Sequence, residues 1–226
     1  MTGAVPDADR RSAVRDSLGV GLAVGAYGFA FGAASVAAGL SVLQTCLLSL
    51  LAFTGGTQFA VIGVIAGGGS PGAALAGGLL LGSRNTLYAM RLAPMLRVRG
   101  VRRLVAALGT IDESTAMAVA QPTPELGRVA FWWTFGGVFS FWNLTTLLGA
   151  VAGSLIDPMA VGLDAVVPAA FLALLAPRLR TGVVERRIAA LAAVIAFGLI
   201  PITPAGVPVL AACAALLVAF QLGGRR

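Results

Sequence analysis

The chain has 226 residues, 58% of them hydrophobic and only 11% charged, with a mean hydropathy of +0.92. Soluble domains carry about 25% charged residues, so this composition excludes an ordinary water-soluble fold and predicts an all-α, polytopic integral membrane protein. A net charge of +7 would suggest nucleic acid in a soluble protein, but all sixteen cations are arginines set beside apolar runs. That is the positive-inside pattern of membrane helices, so no nucleic-acid partner is expected.

Residues 1–16 read as a short polar tail with an amphipathic start, and 17–224 as a single transmembrane domain. Between Ser17 and Ser83 no side chain is charged, a run several times the ~20 residues that cross a hydrocarbon layer. Apolar segments are expected at 18–39, 41–67, 72–94, 104–121, 129–152, 159–177, 186–203 and 206–222. Turn-forming sequence divides them: Gly67-Gly68-Gly69-Ser70-Pro71-Gly72, Gln121-Pro122-Thr123-Pro124, Asp157-Pro158 and Pro201-Ile202-Thr203-Pro204.

Arginines gather at 10–15, 97–103, 178–187 and 225–226, and the positive-inside bias would place all four groups in the cytoplasm. Three single crossings before residue 97 would put the second group outside. In one arrangement 41–67 enters as a half-helix, breaks at Thr54-Gly55-Gly56-Thr57 and turns back. Segment 104–121 is then re-entrant or interfacial, which leaves six crossings with both termini inside. The other arrangement has eight crossings and one arginine group against the bias. Internal similarity is also visible. Gly32-Ala-Ala-Ser-Val-Ala-Ala-Gly39 with the apolar stretch to Phe59 resembles Gly149-Ala-Val-Ala-Gly153 with the stretch to Phe171. Transporters often contain such duplicated halves, although Gly/Ala-rich helices also resemble one another without common descent.

The first candidate for chemistry is Phe53-Thr54-Gly55-Gly56-Thr57-Gln58-Phe59. A helix broken at membrane depth exposes backbone groups, and a half-helix N-terminus favours a carboxylate. Close helix packing through the glycines is the plainer reading. The second is Arg84, which stands in apolar sequence with Leu87, Tyr88 and Arg91 on one helical stripe. It is about 15 Å from Pro94, too far to reach the interface comfortably. An arginine at that depth pairs with a carboxylate of the protein or binds one from a substrate.

Acids are few. Asp112, Glu113 and Asp164 could each partner Arg84 or carry a coupled proton, or simply cap a helix. Phe131-Trp132-Trp133 resembles an interfacial anchor. Deeper, Trp142 and Asn143, with Thr145 and Thr146, could line a cavity or bond between helices. Cys46 and Cys213 both lie in apolar runs, and histidine is absent, so no disulfide framework, metal site or cofactor is expected. No enzyme motif and no phosphate-cradling GxxxxGK[ST] loop occurs. The chain is expected not to be an enzyme, and any transport must draw on a gradient.

The ordered set FTGGTQF, RNTLYAMRLAP, TIDESTAMA, FWNLTTLLGAVAG and GLDAVVPAAFLALLAP resembles the AzlC family. These are large subunits of two-component branched-chain amino acid exporters, and the resemblance covers about residues 17–222. It implies export of leucine, isoleucine, valine and methionine across the cytoplasmic membrane by a multi-pass protein with a separate, small AzlD-type subunit. Family patterns fall on Gly55, Gly56 and Gln58, on Arg84 and Tyr88, and on Asp112 and Glu113. Two positions depart from the family. No proline precedes the FG element in Gly25–Gly32, and Gly82 stands where an asparagine is usual.

Together these readings assign substrate binding to Thr54, Gly55, Gly56, Thr57, Gln58, Arg84, Tyr88, Trp142 and Asn143, and proton coupling to Asp112 and Glu113. Trp142 and apolar neighbours would surround the aliphatic side chain. The competing expectation is a non-transporting scaffold or assembly subunit whose polar residues bind only a partner.

Overall fold

The computed structural model describes residues 6–155 and 182–203 without interruption, with 172, 175–176, 179–180, 207–212 and 214–215 besides. Most of expected segments 159–177 and 206–222, Asp164, Cys213 and most of the possible repeat's second apolar stretch, beyond 155, lie outside the described residues. All regular structure that is described is helical.

Two long helical units form the spine. The first joins α1 (Asp7–Gly25) to α2 (Tyr27–Ala37) through Ala26, whose dihedrals remain helical. It starts at Asp7, with Asp7 and Asp9 in the first turn, where carboxylates suit the positive end of the helix. Much of the expected polar tail is therefore already helical. The second is α9 (Pro124–Leu155). Asp7–Ala37 and Pro124–Leu155 are both long and apolar enough to cross a membrane.

These units run parallel, because contact positions rise together along both. Ser17 donates its hydroxyl to the Ala130 carbonyl, and Gly25 meets Phe141. A methyl group added at Gly21 would lie 3.0 Å from the Gly137 backbone. Further along, Gly32 packs on the Thr146 carbonyl and Gly149 on the Phe29 carbonyl. The two Gly-Ala strings that suggested a repeat thus pack directly against one another. In lipid, where apolar burial drives little, such backbone proximity is the main source of helix association.

Between the long units the chain makes two short hairpins and one kinked helix. α3 (Val42–Leu51) opens on a capping box between Ser41 and Gln44 and descends antiparallel to α9. Ser49 lies beside Thr146, and the Phe53 ring is 5.0 Å from Phe139 and 6.2 Å from Phe135. The helix then stops. Residues 52–55 are not helical, and Gly55 has φ +57 and ψ −83, a region that essentially only glycine enters. α4 (Gly56–Ala66) climbs back, with Phe59 5.5 Å from Phe31 and 6.4 Å from Trp142. Gln58 consequently reaches Ser49, nine positions earlier, which a continuing helix would forbid.

α5 (Pro71–Gly82) starts on a Ser70 cap with proline in its first turn and packs antiparallel to α4. α6 (Arg84–Leu96) continues beyond a tightened turn at Ser83, so the single helix expected over 72–94 is divided there. It also passes Pro94 and ends two residues later, where Arg97 adopts φ 50 and donates Nε–H to the Pro94 carbonyl.

α7 (Val101–Leu108) and α8 (Asp112–Val119) form the second hairpin. Its ends lie by the start of α9, where Gly127 packs on Met95 and the Ala118 carbonyl. At the tip, Gly109 packs on the Phe135 ring, and Ile111 shares a core with Phe53, Phe135 and Val138. The tip satisfies itself: Ser114 accepts from Ile111 N–H and donates to the Gly109 carbonyl. The two hairpins therefore approach the middle third of α9 from opposite ends. As in one of the two expected arrangements, 41–67 is broken into two half-length helices, and 104–121 likewise falls into two. α10 (Val183–Leu199) and α11 (Val207–Ala212) pack on each other.

Candidate functional site

Where the hairpin tips meet, polar atoms collect in an otherwise apolar core. Stopping α3 leaves its last carbonyls without intrahelical partners. The Ala52 N–H takes the Leu48 carbonyl, and Gln58 Nε2 donates to the Ser49 carbonyl at 3.1 Å and to that of Leu48 at 3.5 Å. Gln58 is fully buried. Its donor thus holds the break closed, while Oε1 has no hydrogen-bond partner among the described residues.

The two glycines of the break serve different purposes. A Cβ on Gly55 would be an ordinary 3.7 Å from the Trp142 ring, so its requirement is conformational. A Cβ on Gly56 would lie 3.3 Å from Arg84 Nη2, so here the missing side chain is what matters. It lets the guanidinium approach the N-terminus of α4. Thr57, in the first turn of α4, is buried against Gly78 and Gly82, and its hydroxyl has no partner among the described residues. Thr54 is half-buried with its hydroxyl in the same condition.

Arg84 is the first residue of α6, set at this level by the turn at Ser83. Its Nη2 lies 2.8 Å from Oδ2 of Asp112, the first residue of α8. The side chains are 30% and 34% exposed, so the pair is neither sealed in the core nor free in solvent. Arg84 Nε and Asp112 Oδ1 are both buried without a hydrogen-bond partner among the described residues. Glu113 follows on α8 and Tyr88 lies one turn further along α6; both are half-buried.

Trp142 closes the far side. Its ring stacks on Phe31 at 6.1 Å and is 4% exposed. Asn143 points about 100° round α9 from Trp142 and gives its amide to the Phe139 carbonyl of its own helix. The structure thus brings together Gly55, Gly56, Thr57, Arg84, Asp112 and Trp142, and assigns Gln58 to the break itself. A neighbouring feature was missed by the sequence reading. An open groove of about 610 Å³ runs from the break between α3, α4 and α5, lined by Leu48, Ala52, Thr57, Val61, Gly78 and Gly82 among others. Gly78 and Gly82 sit four apart on one face of α5, the spacing that could have revealed it.

Two long parallel apolar units, with shorter helical hairpins packed around an ion pair, are consistent with a helical membrane protein. The family profile described as AzlC protein matches residues 19–156, which is well over half the chain and includes every candidate residue above. The chain belongs to the AzlC family. It is 30% identical over 149 residues to the inner membrane protein YgaZ of Escherichia coli (strain K12), across 62% of this chain and 59% of that protein's length. It is 31% identical over 185 residues to an uncharacterized membrane protein of Archaeoglobus fulgidus, across 79% of this chain and 80% of that protein. No solved structure matches the chain.

Proposed function

We propose that this chain is the large subunit of a secondary transporter that exports branched-chain amino acids across the cytoplasmic membrane, driven by the proton gradient, with a small AzlD-type partner. The observation that carries the reading is Arg84, held by Asp112 over the N-terminus of half-helix α4, whose next residue, Thr57, lines an apolar groove. Arginine and the half-helix end both favour a carboxylate. The groove suits an aliphatic side chain, and discrimination there between neighbours such as valine and leucine is only about 1–3 kcal/mol. Broad specificity within the class follows.

In this reading α1–α2, α5–α6 and α9 cross the bilayer, and the α3–α4 and α7–α8 hairpins turn back from opposite faces. With the apolar segments that the sequence predicts at 159–177, 186–203 and 206–222, the count would come to six with both termini inside. Support comes from charge. The starts of the parallel units carry Arg10, Arg11, Arg15 and Arg128, and Arg128 donates to the Met95 carbonyl near the end of α6. Arg97, Arg99, Arg102 and Arg103 therefore belong to the same end, as the positive-inside bias requires.

The test is uptake of radiolabelled leucine, valine and methionine into proteoliposomes, with and without the small subunit, under an imposed pH gradient. Saturable leucine transport that needs both subunits is expected; none under any gradient would remove the reading. In the scaffold alternative the polar residues serve assembly alone, as Arg84 and the Gln58 amide already do within the chain. Arg84→Ala and Gln58→Ala separate the two. A transporter loses efflux while still assembling, and a scaffold loses the complex.

A further inference from the structure

We infer that Asp112 is the ligand for the substrate's ammonium group, so that an amino acid and a proton compete for one carboxylate. The inference rests on the exporter reading and adds the recognition chemistry to it.

Arg84 and Asp112 satisfy each other only in part. A guanidinium and a carboxylate in full contact share two parallel hydrogen bonds. Here a single Nη2–Oδ2 contact of 2.8 Å joins them, leaving Arg84 Nε and Asp112 Oδ1 buried and without partners among the described residues. Leaving such atoms unmatched is costly, more so for ionised groups. What remains buried and unmatched is one donor on the cation and one acceptor on the anion. A simple carboxylate satisfies the donor alone, and a simple amine the acceptor alone. A zwitterion satisfies both, with its carboxylate on Nε and the α4 N-terminus and its ammonium on Oδ1. The buried hydroxyls of Thr57, next to Gly56, and of Thr115, one turn along α8 from Asp112, also lack partners among the described residues.

Competition follows from the chemistry. Ionised Asp112 holds the ammonium, and a proton on Oδ1 removes both the charge and the acceptor. A proton arriving from outside would then release the amino acid outward, and its departure inward would restore the site. The ionisable groups on the elements packed against α8 are Arg84, Tyr88 and Arg91 of α6, Glu113 of α8 itself, and Glu125 and Arg128 at the far end of the α8–α9 contact. Among the described residues, Arg84 is the group within salt-bridge distance of Asp112.

The test is competition against labelled leucine exchange in proteoliposomes containing the full chain and its small subunit. The competitors are unlabelled leucine, its 2-oxo acid, which lacks the ammonium, and 3-methylbutylamine, which lacks the carboxylate. Leucine should compete at least about tenfold better than either analogue, the scale of one lost charged hydrogen bond. Its apparent affinity should fall on acidification, and Asp112→Asn should flatten that fall. A 2-oxo acid that competes as well as leucine, or leucine affinity that rises with acid, overturns the inference while leaving export intact. Absence of leucine exchange at every pH removes the exporter reading itself. The analogue comparison uses the wild-type protein, so it decides the matter even if the Asp112 variant fails to fold.

Discussion

Arg84 on α6 and Asp112 on α8 meet at 2.8 Å where two hairpins, entering from opposite ends of the molecule, reach the middle of α9. Neither residue would be stable there alone. Removing one member of such a pair leaves the other charge partly buried and unmatched. With each side chain about a third exposed, the loss expected for Asp112→Ala is about 1–3 kcal/mol rather than the larger figure of a sealed pair. The Arg84→Ala/Asp112→Ala double variant should recover much of that stability without recovering transport. Thermal midpoints of the four proteins of the cycle would check it; additive losses would mean that the two residues are not coupled.

The adjacent glycines should separate stability from function. Gly55→Ala places a side chain in a region open essentially to glycine alone, at about 1–3 kcal/mol, with no clash against Trp142. Gly56→Ala puts a methyl group 3.3 Å from Arg84 Nη2, so it should cut transport while lowering the midpoint less. Parallel unfolding and uptake measurements on the two variants would show whether the effects divide in this way.

Gln58→Leu keeps the volume but withdraws the donor that closes the end of α3. The Ser49 carbonyl then loses its partner and that of Leu48 keeps only the Ala52 N–H, for an expected destabilisation of about 1–3 kcal/mol. A variant as stable as the wild type would show that the break does not need its amide.

Enlarging the groove wall should alter selectivity. A Cβ on Gly78 would already stand 2.9 Å from Val61 Cγ2. Gly78→Ala should therefore narrow the groove and favour valine over leucine, by up to the factor of ten or so that one methylene carries. Competition between the two amino acids in proteoliposomes measures this directly. An unchanged ratio would place the side chain elsewhere.

The hairpins make a prediction about sidedness. Single cysteines at Gly39 and Gly68, in the turns flanking α3–α4, should both react from the outside with an impermeant thiol reagent. Those at Arg99 and Gln121, flanking α7–α8, should both react from the inside. Opposite sidedness within either pair would convert that hairpin into a crossing.

How much of this was legible in the sequence depends on the range of the interaction. A break near Thr54 and Gly55 was readable because tandem glycine is a local signal, although it falls at 52–55 rather than 54–57. The arginine groups allowed a segment that turns back alongside eight plain crossings. The division at Ser83 was not, since that residue keeps helical dihedrals and breaks no rule of composition. Hydropathy set the start of α9 at 129, whereas Thr123 and Pro124 start it earlier, Thr123 accepting from the Leu126 N–H. Capping signals were outweighed there by the charges on Glu125 and Arg128. Three acids could have paired with Arg84, and only the folding of α8 against α6 selects Asp112. The groove was invisible because Val61, Gly78 and Gly82 look like ordinary packing residues until α4 and α5 are laid side by side.

Coupling through Asp112 is tested most directly by leucine movement in proteoliposomes carrying wild-type protein or Asp112→Asn, each with the small subunit, at equal and at unequal pH. Wild type should drive leucine uphill, against the direction of proton flow, whereas the variant should bind leucine at least about tenfold more weakly at equal pH and gain nothing from the gradient. Leucine that travels with the protons, or a variant that still accumulates it uphill, would contradict the account.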